Sequence, residues 1–175
     1  DNRAIDLLND LKTKMENDKP LENSFRGLAF SRYKNSASYC AVGVELTVSD
    51  NVEVELKQAW ISVDAGEVAF KEGIEAQVEG GFIQAASWSL YEQVNFDNNE
   101  ILSKDWDRYK IIEFDNIPLI KTSVINRVGF PYLGVGEAVA GPTGASISNA
   151  LKRALGERIQ SMPFSQENIT KQLLG

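Results

Sequence analysis

Residues 40–60, CAVGVELTVSDNVEVELKQAW, form two alternating stretches joined by a short polar turn. An apolar side chain occupies every second position from Cys40 to Val48, and the same alternation resumes from Val52 to Leu56. A period of two is typical of a β-strand with one buried face. Because only a Ser-Asp-Asn turn separates the two stretches, they predict an antiparallel β-hairpin at the centre of the fold.

Segments with helical periodicity flank this hairpin. The N-terminal stretch carries apolar residues at helical spacing as far as Met15 and predicts an amphipathic helix. Helices are also predicted over 75–93 and 144–156, and residues 119–124, after Pro118, predict a strand at an edge of the sheet or at a bulge. We therefore expect an α+β fold, with an antiparallel or mixed sheet and helices packed on one face.

The chain has the length and composition of one globular domain. It has 175 residues, of which 43% are hydrophobic and 25% are charged, and no linker divides it. We predict a single domain over 1–175, with a polar and mobile tail over 161–175. The first residue is Asp1, and no initiating methionine precedes it, which suggests a piece excised from a larger protein.

Composition excludes several classes of function. Eighteen Lys and Arg against 25 Asp and Glu give a net charge of −7, which argues against a nucleic-acid partner. The absence of histidine removes the commonest metal ligand, and the single cysteine, Cys40, lies on an apolar face and is interpreted as core. No apolar run approaches the roughly 18 residues of a membrane span. The sequence favours neither the cytoplasm nor the periplasm.

A glycine-rich loop carries the best candidate for chemistry. Residues 134–137, Gly-Val-Gly-Glu, precede a predicted helix and place one carboxylate beside flexible backbone. If Glu137 is buried there, it has the chemistry of a general base. An ordinary strand-to-helix turn with a solvated glutamate explains the same residues, because one glycine-rich loop is a weak signal.

A second glycine pair lies inside the helix predicted over 75–93. Each of Gly80 and Gly81 costs about 1 kcal/mol relative to alanine in a helix, which indicates close approach by a ligand or by another backbone. Gln77, one turn earlier, offers a donor and an acceptor to the same ligand. Tight packing against the hairpin is the simpler explanation. Asp64, near the end of the second strand, is interpreted as a turn residue or as one that orients a neighbour.

Four segments together resemble one family. They are 75–85 (EAQVEGGFIQA), 108–111 (RYKI), 114–118 (FDNIP) and 134–137 (GVGE), in that order. They resemble the C-terminal part of the large molybdopterin-binding subunit of the xanthine dehydrogenase and aldehyde oxidase family. Within that family they are most similar to the branch of the isoquinoline 1-oxidoreductase beta subunit.

The resemblance implies roles for residues in the first and the last of these four segments. In that family a molybdenum-bound hydroxide attacks an electron-poor carbon, a sulfido ligand takes the hydride, and electrons leave through iron–sulfur clusters. By resemblance Glu137 accepts the proton of that hydroxide and Gln77 contacts the cofactor. The remaining residues assigned to cofactor binding are Gly80, Gly81, Gly134, Val135 and Gly136, and no residue of this chain is assigned to bind the metal directly.

The resemblance also implies what must surround this chain. The cofactor is expected to be molybdenum-molybdopterin, in its cytosine dinucleotide form, and the substrate a small aldehyde or N-heterocycle. The partners are expected to be the upstream part of the same subunit and an iron–sulfur subunit. Since most cofactor loops lie upstream in the family, we expect the isolated chain to hold no cofactor and to be inactive.

Two departures support an alternative function. Ala138 stands where the family commonly has proline, and Val68-Ala69-Phe70 replaces the usual Asn-Pro after residues 64–66. A ligand-binding or scaffold domain that kept the fold and lost the chemistry would show such changes. An independent metalloenzyme is a third class, disfavoured by the absence of histidine.

Overall fold

The computed structural model describes residues 1–174 of the chain. In chain order the elements are α1 (Asn2–Asn17), β1 (Ser24–Arg32), β2 (Tyr39–Val48), β3 (Val54–Asp64), α2 (Lys71–Leu90), β4 (Leu119–Ile125), α3 (Ala140–Leu155) and α4 (Gln166–Leu174). Single 3₁₀ turns lie at Tyr33–Asn35 and Phe114–Asn116. Within the described residues, no helix has the length and apolar character needed to cross a membrane.

The four strands form one mixed sheet in the order β1-β2-β3-β4. The β2–β3 hairpin is antiparallel, with Val42 opposite Ile61, which confirms the central prediction. β4 pairs parallel to β3 at the edge of the sheet, so the predicted edge strand is also confirmed. β3 runs on to Asp64, and β4 pairs with its second half, from Gln58 to Asp64.

Helices α2 and α3 pack on one face of the sheet, as predicted. Phe82 from α2 and Ile147 and Leu151 from α3 are fully buried against the apolar face of β2 and β3. β1 meets α3 so closely that a methyl group on Gly27 would lie 2.2 Å from the backbone oxygen of Ser146. These contacts fix the position of the loop that leads into α3.

The first helix corrects one part of the expected architecture. Leu7, Leu11 and Met15 of α1 pack with Tyr39 and Trp60 in a second cluster, separate from the core formed by α2 and α3. Side chains along a strand alternate between the two faces of the sheet. The residues next to Val42 and Ile61 therefore point to the opposite face, where they pack against α1. The sheet is therefore covered on both faces, and the expectation of helices on one face holds for α2 and α3.

The C-terminal segment also differs from its prediction. Residues 161–174 were expected to form a mobile tail, but Phe164 and Ile169 are buried in the main core. The backbone N–H of Phe164 donates to the carbonyl oxygen of Ser89 at 2.7 Å. The described part of this segment is therefore packed rather than free, and Gly175 lies outside the described residues.

Candidate functional site

Glu137 lies in a turn over residues 136–139, directly before α3. Val135, Ala138 and Val139 are buried and anchor the turn, while the Glu137 side chain is exposed. The carbonyl oxygen of Glu137 accepts from the N–H of Ala140 at 3.2 Å. Glu137 is therefore the solvated glutamate of the alternative interpretation within the described chain, because its apolar neighbours occupy the inward positions.

The turn between β1 and β2 meets this loop from the other side. Tyr33 donates a hydrogen bond through its hydroxyl group to Oε2 of Glu137. The hydroxyl of buried Ser38 donates to the carbonyl oxygen of Gly134 at 2.6 Å. The sequence alone did not reveal either residue, since the only local signal is a short polar run over residues 31–38, before the first alternating stretch.

Helix α2 approaches the same loop through its glycine pair. A methyl group on Gly81 would lie 2.7 Å from Cγ1 of Val139 and 3.5 Å from the carbonyl oxygen of Gly136. A methyl group on Gly136 would in turn lie 3.5 Å from Oε1 of Gln77. Two motifs that are 59 residues apart in sequence, at Gln77 and Gly136, are thus neighbours in space.

The other candidate residues divide into two groups. Among residues 1–174, no atom beyond the adjacent backbone lies within 4 Å of the β-carbon positions of Gly80 and Gly134, so their backbone faces open space. Val135 is buried, so its backbone alone is available to a ligand. Gly81 contacts the turn directly, and for this residue tight packing against a neighbouring backbone accounts for the glycine.

The chain that leads to the loop is held by the end of β3. The N–H of Leu133 donates to the carbonyl oxygen of Ala65 at 2.9 Å. Gly66 has a φ of 81°, and a side chain there would overlap the carbonyl oxygen of Pro131. These contacts fix residues 131–133 against the sheet and so fix where residues 134–137 begin.

Asp64 stabilises this junction. Its fully buried carboxylate accepts from Arg3, from Arg127 and from the N–H of Gly66. Burial by itself raises the pKa of Asp64, but the hydrogen bonds from Arg3, Gly66 and Arg127 outweigh burial and lower the pKa below its ordinary value. Asp64 therefore both turns the chain and orients neighbours, so both interpretations of this residue apply.

The described residues contain no group of three or more His, Cys, Asp and Glu side chains placed to hold a metal ion. Cys40 is fully buried, and burial raises the pKa of its thiol to about 12. A thiol held neutral in this way is not a nucleophile at ordinary pH. Glu137 is thus the titratable group that the glycine-rich loop presents.

Comparison with known proteins identifies the fold. The model of a molybdopterin cofactor-binding domain matches residues 12–118, which is more than half of the chain. The chain belongs to the molybdopterin cofactor-binding domain family. The matched range contains Gln77, Gly80 and Gly81 but ends before the loop at 134–137.

Two curated relatives of this chain are subunits of oxidoreductases. One subunit of nicotinate dehydrogenase from Pseudomonas putida is 31% identical over 157 residues, which cover 86% of this chain and 13% of that protein. The beta subunit of isoquinoline 1-oxidoreductase from Brevundimonas diminuta is 28% identical over 138 residues, which cover 79% of this chain and 17% of that protein. These matches confirm the resemblance to the isoquinoline 1-oxidoreductase branch.

A solved structure shares the molybdopterin-binding fold. Quinoline 2-oxidoreductase from Pseudomonas putida 86 superposes with a TM-score of 0.72 at 19% identity. The superposition covers 78% of this chain and 19% of that chain. The chain thus spans less than a fifth of the length of each of these three proteins.

Proposed function

We propose that this chain forms one wall of the molybdenum cofactor site of a hydroxylase that oxidises an aldehyde or an N-heterocycle, with water as the source of oxygen. The observation that carries the proposal is the meeting of α2 with the loop before α3. A methyl group on Gly136 would lie 3.5 Å from Oε1 of Gln77, and one on Gly81 would lie 3.5 Å from the carbonyl oxygen of Gly136, the residue next to the exposed carboxylate of Glu137. An amide, open backbone and one carboxylate are thus gathered on one surface.

These residues leave room and polar groups for a large cofactor. The open backbone at Gly80 and Gly134 allows a bulky ligand to approach without meeting a side chain. Gln77 is exposed and has both a donor and an acceptor for a pterin ring. The cofactor, in our proposal the cytosine dinucleotide form, brings its own metal and supplies the two-electron redox chemistry when it is bound.

Glu137 is the residue that moves a proton. One oxygen of its carboxylate, Oε2, accepts from Tyr33, which leaves Oε1 to accept a proton from the oxygen that becomes part of the product. A carboxylate is suited to this role because each of its two oxygen atoms can accept a proton or a hydrogen bond. The buried neighbours Val135 and Val139 hold the turn, so the carboxylate is presented from a fixed backbone.

The rest of the enzyme must cover this surface. Because Glu137 and Gln77 are exposed here, we propose that the upstream part of the same subunit closes the site and excludes water from it. An iron–sulfur subunit would carry the electrons away. The 175-residue chain by itself would then bind no cofactor and have no activity, since too few groups would contact the cofactor.

Two measurements on the complete protein test this function. A reaction run in water enriched in ¹⁸O should give a product that carries the label, and molybdenum should copurify with the protein. Product oxygen derived from O₂ would contradict the proposal. Absence of both molybdenum and turnover would favour the alternative of a scaffold domain that kept the fold.

A matched pair of variants tests the cofactor contact. Gln77→Ala should reduce the molybdenum content of the purified protein, on the order of 10-fold for a lost ligand contact. Gln160→Ala removes an exposed amide after the end of α3 and should leave the molybdenum content unchanged. Equal metal content in the two variants would remove Gln77 from the site.

A further inference from the structure

The turn between β1 and β2 is built as a rigid support. The N–H of Tyr33 donates to the carbonyl oxygen of Ser38 at 2.9 Å, and the N–H of Ala37 donates to the carbonyl oxygen of Tyr33 at 2.9 Å. Lys34 and Asn35 adopt the left-handed conformation, with φ of 50° and 58°. A non-glycine residue in this region is uncommon, and two in succession mark a turn that its surroundings hold in place.

Both ends of this turn bind the loop that carries the proposed base. Ser38, at one end, donates to the backbone of Gly134, and Tyr33, at the other end, donates to the side chain of Glu137. The turn is also continuous with the two strands of the sheet that pair over Ser24–Arg32 and Tyr39–Thr47. An exposed carboxylate is thereby tied to the paired strands β1 and β2.

We infer that Tyr33 is a positioning residue for Glu137, which holds one carboxylate oxygen so that the other points to the reacting group. This inference rests on the proposed function, because it assigns Glu137 the role of base. A glutamate on an exposed turn otherwise samples several rotamers, and the hydroxyl of Tyr33 selects one of them. Ser38 fixes the backbone of the same loop three residues earlier.

The charges around the hydroxyl of Tyr33 agree with this arrangement. The groups that face it are Glu137 and, from its own turn, Lys34, whose Nζ lies 5.2 Å from the centre of the ring. The hydrogen bond to Glu137 raises the pKa of Tyr33, with smaller contributions from desolvation and the negative charge of Glu137, while Lys34 acts in the opposite direction. Ionisation of Tyr33 would break the hydrogen bond and place two anions together.

The hydrogen bond can be measured without turnover. A 3-fluorotyrosine placed at position 33 of the complete protein reports ionisation of the phenol by ¹⁹F NMR. With Glu137 present, the probe should ionise at a higher pH than the same probe does in the Glu137→Gln variant. An identical transition in both backgrounds would overturn the inference. A probe at Tyr109, whose hydroxyl donates to Glu92 at 2.6 Å, should not respond to Glu137→Gln.

Kinetics separate positioning from a purely structural role. Tyr33→Phe retains the ring and its packing, and it should lower kcat on the order of 10-fold with little change in KM. Tyr109→Phe breaks an equivalent tyrosine–glutamate pair elsewhere and should leave both constants unchanged. An unchanged kcat in Tyr33→Phe, in a protein that melts at the wild-type temperature, would refute positioning.

Two outcomes of Glu137→Gln distinguish a failure of the positioning role of Tyr33 from a failure of the proposed function. If Glu137→Gln leaves turnover intact but still lowers the pH at which the probe at Tyr33 ionises, the base assignment is wrong and the hydrogen bond between Tyr33 and Glu137 is real. If Glu137→Gln abolishes turnover while the probe at Tyr33 does not respond, Glu137 is the base and Tyr33 does not position it.

Discussion

At position 64 one buried carboxylate joins three parts of the chain. Arg3 belongs to α1, Arg127 follows β4, and the N–H of Gly66 belongs to the loop that supports residues 131–133. A buried charge is costly unless it is paired, and here two guanidinium groups and one amide pair it. Asp64 therefore acts on the candidate site indirectly, through the loop that begins beside it.

Replacing this carboxylate should destabilise the whole chain. Asp64→Asn leaves Arg3 without its charged partner and leaves Arg127 paired with Asp6 alone, and we expect a loss of about 3 kcal/mol in the free energy of unfolding. Denaturant titration measures this loss. Asp105→Asn, which removes an exposed carboxylate 3.9 Å from Arg108, serves as the control and should change stability little.

The same residue predicts a dependence on pH. The pKa of Asp64 is lowered in the folded chain, so its contribution is fully present above the ordinary value of 3.8 and is lost as the pH falls through the folded pKa. Unfolding measured between about pH 6 and pH 2 should therefore show a steeper acid loss in the wild type than in Asp64→Asn. Parallel curves would contradict the assigned ion pairs.

Residues of the site differ in how far the sequence reveals them. Glu137 and Gln77 lie in motifs that resemble a known family, so the sequence alone was enough to identify them as candidate site residues. Tyr33 meets Glu137 across 104 residues, and no local pattern reports such a contact. The sequence left both a buried and a solvated Glu137 open, because its exposure depends on which neighbours of the turn reach the core.

Helix α2 shows why two adjacent glycines need not have one role. Gly81 faces the turn that carries Glu137, whereas Gly80 faces open space. Glycine at an exposed helical position only weakens the helix, so the helix itself does not require glycine at position 80. A ligand that approaches the backbone at Gly80 would supply the missing reason.

Alanine at each position separates these roles. Gly80→Ala should raise the free energy of unfolding of the apoprotein by up to about 1 kcal/mol, yet lower the molybdenum content of the complete protein. Gly81→Ala should destabilise the apoprotein, because the new methyl group would lie 2.7 Å from Cγ1 of Val139. Thermal unfolding and metal analysis of the two variants provide the measurements. Unchanged metal content in Gly80→Ala would argue against a ligand at this position.

The elements with clear periodicity were predicted and the others were not. The β2–β3 hairpin, α1 and β4 follow directly from spacing. β1 was not predicted as a separate strand, because it lies at an edge of the sheet and only Gly27 among its residues is buried. α4 was missed because it is only nine residues long and buries only Ile169, so its apolar spacing is too brief to stand out in a polar segment.

At the level of the whole molecule, large apolar side chains remain uncovered. Phe96, Trp106 and Phe114, in the segment between α2 and β4, are 74%, 75% and 92% exposed, and Val128 after β4 is 77% exposed. Such exposure is unusual for a domain that functions alone. It agrees with a chain that spans less than a fifth of the length of its relatives.

The isolated chain should therefore associate in solution. Light scattering at increasing concentration should show species larger than a monomer, because exposed apolar surface is removed from water by association. A Trp106→Ser and Phe114→Ser double variant should reduce this association. A monodisperse monomer at every concentration would contradict the view that these side chains are normally covered.

Above all, we propose that Glu137 is the base of a molybdenum hydroxylase. Steady-state turnover of the complete, cofactor-loaded protein should fall between about 10²-fold and 10⁴-fold in Glu137→Gln, because the amide cannot accept the proton. Glu157→Gln, an exposed glutamate after α3, should retain full turnover. Wild-type turnover in Glu137→Gln, with molybdenum content unchanged, would contradict the account.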